Sequence, residues 1–130
     1  MKTDDVTLRF DPNFVGSMSS PTGTIRLGDQ EGGMQPYHLL YGALASCFYA
    51  TFLGVVEKKR LTFSHADMKI SGVKRETIPT TLETVIIELI IHNASDEAQF
   101  QKAALLGAKY CSIHETISRV ATIDLVVRFS

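Results

Sequence analysis

One run constrains this chain more than any other: Gln35 to Val56, almost without charge, opening beside Pro36 and carrying Cys47 near its centre. It reads as a helix. Proline suits the first helical position, where its missing N–H leaves nothing unpaired, and Lys58, Lys59 and Arg60 place cations near the negative end of the helix dipole. Apolar residues lie all round rather than on one stripe, so the helix should be covered on nearly every side. Its length is about the 20 residues a membrane span requires. His38, Ser46 and Thr51 break its apolar character, however, and favour a core helix wrapped by a sheet or by a partner subunit. Leu40, Leu44, Cys47 and Thr51 follow at spacings of four, three and four, which puts the thiol on one face beside aliphatic neighbours.

The rest of the chain builds around that helix. Val6 to Phe10 alternates apolar and polar, Asp11-Pro12-Asn13 turns, and Phe14 to Met18 returns as the second strand of a hairpin. A turn at Ser19 to Gly23 leads to a short edge strand, Thr24 to Leu27, and Gly28 to Gly33 reads as a mobile loop feeding Pro36. After the helix, Ala66 to Glu76 begins with strict alternation that blurs at Gly72 and Val73, the mark of a bulge. Leu82 to Ile91 is the strongest strand and pairs most simply with the one before it. Asp96 with Gln99 forms a helix-opening pair for a helix to about Tyr110, whose inner face is Phe100, Ala104, Gly107 and Cys111. Ser112-Ile-His-Glu115 has the form of a capping box, which predicts a short helix to about Arg119, and Thr122 to Phe129 closes the chain as a strand. Three strands, a long helix, two strands, two helices and a strand make an α+β fold, expected as a single domain over residues 1–130.

Charge and composition narrow the function. Thirteen basic against 14 acidic residues give a net charge of -1, which offers no field for nucleic acid. The polar, acidic Met1 to Asp5 lacks the apolar core of a signal peptide, so a cytoplasmic protein that binds neither membrane nor nucleic acid is expected. There is no P-loop, no G-x-G-x-x-G and no G-x-S-x-G, and no cofactor is expected. Metal ligation has little sequence support: Cys111 and His114 form a single C-x-x-H pair, and His38, His65 and His92 stand singly.

The two cysteines remain, either as small buried hydrophobes or as a redox pair. Cys47 lies eleven residues past Pro36, beyond reach of that helix's dipole, and aliphatic burial would raise its pKa; a nucleophilic Cys47 therefore needs a cation brought to it. Arg26, on the strand nearest the helix start, is the candidate, because its fork of donors can hold both a thiolate and a peroxide oxygen; otherwise it is a solvated edge-strand residue. Cys111 precedes a helix whose N-terminus would favour its own thiolate.

From Gln35 and Pro36 through Leu39-Leu40 to Ala45-Ser46-Cys47-Phe48, and again at Lys109-Tyr110-Cys111-Ser112-Ile113, the sequence resembles the OsmC/Ohr family of osmotically inducible and organic-hydroperoxide-resistance proteins. The resemblance runs from about Val6 to Phe129. It implies an intertwined homodimer with the central helices enclosed by sheets of both chains. It also implies reduction of organic hydroperoxides: Cys47 is oxidised to a sulfenic acid, Cys111 condenses with it to a disulfide, and a dithiol, in the family often lipoyl-linked, restores the thiols. Arg26 falls where the OsmC-like branch carries its catalytic arginine. Tyr37, followed by His38, stands where family members carry a glutamate, and Ser112 where they carry a proline. Either Tyr37 or His38 orients the arginine instead, or the chain belongs to a branch with weak or absent peroxidase activity. The alternative reading is a dimer that holds a small apolar ligand, with its cysteines as filler.

Overall fold

The computed structural model describes residues 1–130, which gather into two compact units, Met1–Leu40 and Tyr41–Ser130. The first unit is a three-stranded antiparallel sheet in the order β1 (Thr7–Phe10), β2 (Val15–Ser20), β3 (Gly23–Gly28). Asp11 makes the first turn, its side chain accepting from the Asn13 N–H at 2.8 Å while its own N–H donates to the Val15 carbonyl at 3.1 Å. Phe10 and Phe14 stack across it, with centroids 6.0 Å apart. The glycine-bearing loop that follows, expected as a mobile segment, is crossed by several hydrogen bonds. Gly28 N–H donates to Met34 O and Met34 N–H to Arg26 O, both at 2.9 Å, and the Gln30 amide donates to the carbonyls of Gly16 and Leu27. Gly28 itself has φ +84, and a Cβ there would meet the Phe14 carbonyl oxygen, so only glycine fits.

Helix α1 (Pro36–Lys58) starts at the end of the first unit and runs through the second. It ends where Arg60 turns to φ 56, with Leu61 N–H reaching back to the Val56 carbonyl and Arg60 N–H to that of Glu57, which satisfies carbonyls the helix leaves unpaired. Within this one chain the helix is not covered on nearly every side. Only Leu44, Phe48, Phe52 and Val56 are buried, one stripe at a spacing of four, and of the face read from sequence only Leu44 belongs to it. A uniformly apolar helix has no periodicity from which its packed side can be read.

The second unit pairs β4 (His65–Lys74) antiparallel with β5 (Leu82–His92), and β5 parallel with β6 (Thr122–Phe129). The expected bulge is present as a register shift at Val73 and Lys74. Parallel pairing demands a long crossover, and α2 (Glu97–Tyr110) and α3 (Ser112–Ser118) supply it. Alternation in β5 divides its faces: Val85, Ile87, Leu89 and Ile91 are fully buried, while Ile86, Glu88, Ile90 and His92 lie on the other face. Asp96 caps α2 as expected, accepting from Gln99 N–H at 3.1 Å.

Aromatic packing joins α1 to α2. Phe52 lies 6.1 Å from Phe48, 6.3 Å from Phe63 and 6.1 Å from Phe100, all centroid distances. Gly107 lets the helices approach, because a Cβ on it would stand 3.1 Å from both Cα and Cβ of Phe52. This contact sits five residues after Cys47 and four before Cys111, so it sets where both thiols stand.

Candidate active site

Cys47 projects from α1 between the buried residues Leu44 and Phe48 and is half-buried, whereas Cys111 is buried at 1% exposure. Cys111 ends α2, donating its N–H to the Gly107 carbonyl at 3.1 Å. There the chain departs from helical dihedrals (φ -73, ψ 120), and this break frees the thiol to cap the next helix. Its Sγ accepts from the His114 backbone N–H at 3.4 Å. The expected capping box at Ser112 is thus displaced by one residue: Cys111 is the cap, Ser112 is already helical, and Glu115 pairs forward with Arg119 at 2.7 Å. The C-x-x-H spacing is accounted for by this cap, made through the backbone of His114 and not its ring.

The first turn of α3 also serves the other thiol. Ser112 Oγ lies 3.9 Å from Cys47 Sγ. Burial pushes the Cys47 pKa up, but hydrogen bonds from the Ile113 N–H, the Cys111 side chain, and the Ser112 hydroxyl and N–H outweigh it, and the net direction is down. For Cys111 the direction is up, mainly through burial, with the hydrogen bond to Cys47 and the charge of its thiolate adding to it against the N–H groups of His114 and Ile113. From sequence a lowered Cys47 needs a cation and the helix N-terminus favours the Cys111 thiolate; here the amides of that turn also reach the sulfur on α1, and burial raises Cys111 in spite of them.

Arg26 stands on β3 in the first unit, where its Nη1 donates to the Glu31 carbonyl at 3.3 Å. His38 Nδ1 accepts the Gln35 N–H at 3.0 Å at the start of α1. A cleft of about 970 Å³ between the β4–β5 turn and α3 includes His114, Arg75 and Arg119 but neither cysteine. Burial lowers the pKa of His114, partly opposed by Glu115. His65 and His92, single in sequence, meet across β4 and β5 with rings 4.1 Å apart. Strand register was the signal that could have joined them.

The family described as OsmC-like protein matches residues 28–126. Among solved structures, a hypothetical protein from Aquifex aeolicus VF5 superposes with a TM-score of 0.85 at 22% identity, over 100% of this chain and 99% of that one. An OsmC-like protein from Mycoplasma pneumoniae gives 0.86 at 21% identity, over 98% and 97%. The organic hydroperoxide resistance protein OhrB of Bacillus subtilis gives 0.69 at 16%, over 98% of both chains. No curated protein matches in sequence.

Proposed function

The chain belongs to the OsmC-like protein family, and from that premise we propose that it is a thiol peroxidase acting on organic hydroperoxides. The observation that carries this reading is the placement of two thiols at one helix turn: Cys47 half-buried with its sulfur 3.9 Å from Ser112 Oγ, and Cys111 buried as the cap of α3. The Cys47 thiolate attacks the terminal oxygen of ROOH, the O–O bond breaks, and the alkoxide leaves and takes a proton as ROH. Cys47 is then a sulfenic acid. While Cys47 is a thiolate, its charge holds Cys111 protonated; oxidation removes that charge, and Cys111 ionises more readily when it is needed. Its sulfur attacks the Cys47 sulfur, an S–S bond forms, and the S–O bond breaks with release of water. A dithiol reductant then returns both thiols by exchange and is itself oxidised to a disulfide.

Arg26 is assigned the peroxide oxygen in this reading, since its fork of donors suits that role. The chain is also proposed to act as a homodimer. The uncovered apolar surface of α1 supports this, as do the exposed Leu8, Phe10, Phe14 and Met34, which edge an apolar hollow of about 150 Å³ in the first unit.

Cumene hydroperoxide at one equivalent tests the mechanism by mass spectrometry. The wild type should lose two hydrogens as a Cys47–Cys111 disulfide, and Cys111→Ser should stall at a sulfenic acid trapped by dimedone. Cys47→Ser should not react. Free thiols throughout in the wild type would end the peroxidase reading.

A further inference from the structure

We propose that His65, Asp67 and His92 form a surface site for a divalent transition-metal ion of the zinc class, separate from the two thiols. Strand pairing assembles it. His65 stands directly opposite His92 in the β4–β5 register, and Asp67, two residues along β4, shares the face of His65. The imidazole rings stack 4.1 Å apart at 9°, and Asp67 Oδ2 lies 2.9 Å from His92 Nε2 and 4.0 Å from His65 Nε2. One ligand atom from each residue therefore falls within 4.8 Å of the others.

Hydrogen bonding prepares His65 for ligation. Ser64 Oγ donates its single proton to the His92 carbonyl at 3.1 Å and accepts from the Asn93 side-chain amide at 3.0 Å. What remains to it toward His65 Nδ1, at 3.2 Å, is the role of acceptor. Nδ1 then carries the ring proton and Nε2 the free lone pair, directed to the side of the ring where Asp67 stands. An outer partner on the non-ligating nitrogen is the arrangement that fixes a metal-binding imidazole. Two imidazoles and one carboxylate match the ligand preferences of zinc and its neighbours rather than those of calcium or magnesium.

Bonds of about 2.0–2.2 Å require the rings to rotate out of their parallel stack and the ion to replace the 2.9 Å hydrogen bond between His92 and Asp67. Side-chain exposures of 61% for His65 and 67% for Asp67 leave room for that rotation. Lys69, Glu88 and Arg128 flank the site on the same face, with Arg128 held 3.7 Å from Glu88. Three protein ligands leave a fourth position to water.

Zinc titration of the untagged full chain by calorimetry tests this. Wild type and the Cys47→Ser/Cys111→Ser double variant should each bind one ion per chain with micromolar affinity. His65→Gln and His92→Gln should each weaken binding at least tenfold with unchanged circular dichroism, and Asp67→Asn should weaken it less. Cobalt should give visible bands without thiolate charge transfer. Binding unaltered by the histidine substitutions, binding lost with the cysteines, or no saturable binding would each overturn the proposal.

Discussion

Substituting Gly107 by alanine sets two effects of known size against each other. Alanine is the better helix former by about 0.8–1.0 kcal/mol in a helix interior, so propensity alone makes Gly107→Ala stabilising. The added Cβ, however, would stand 3.1 Å from Cα and Cβ and 3.2 Å from N of Phe52. None of these atoms can rotate aside, because all belong to the α1 backbone or are fixed directly to it. The helices must separate by a few tenths of an ångström, and Phe52 cannot follow freely, with its ring packed between Phe48, Phe63 and Phe100. Overpacking of this kind costs about 1–3 kcal/mol. The balance is a net loss of about 1 kcal/mol, read as a lower urea midpoint at unchanged slope. Separation also moves Cys111 away from Cys47, since Cys111 N–H is bonded to the Gly107 carbonyl. Peroxide-driven disulfide formation should slow in the same variant. A Gly107→Ala chain that is more stable than wild type and oxidises at the same rate would refute the reasoning.

Phe52→Ala empties the centre of the ring cluster and should cost about 3–5 kcal/mol in urea unfolding, a large share of a typical domain's stability. Asp96→Ala removes the acceptor for Gln99 N–H and should cost about 1 kcal/mol in the same assay, with little effect on either thiol. Ser112→Ala deletes one of the hydrogen bonds that lower the Cys47 pKa but leaves the Ile113 amide; the alkylation midpoint of Cys47 should move up in pH.

Much of the fold was legible because its signals are local. Alternation marked β4 and β5, Asp96 with Gln99 opened α2, and Gly72-Val73 flagged the irregularity that falls at Val73 and Lys74. What was not legible depends on contacts distant in sequence. The packed stripe of α1 is set by Phe63, Phe100 and Gly107, none of which lies on α1 itself. A thiol is not an expected cap, so Cys111 was passed over for Ser112. Both cysteines were visible as candidates, but not the turn of α3 that donates to each. Asp67 and His92, 25 positions apart, meet only through strand pairing.

The proposed chemistry turns on the tuning of Cys47 and Cys111, and pH-dependent alkylation followed by mass spectrometry reads it most directly. A lowered pKa means that the thiolate is present at lower pH, so the rate profile of Cys47 should rise with a midpoint below the ordinary thiol value of about 8.5. The Cys111 profile should rise above it, and in Cys47→Ser its midpoint should fall, because the charge that opposes its ionisation is gone. Cys111 midpoints at or below those of Cys47, or a Cys111 midpoint indifferent to Cys47→Ser, would contradict the account.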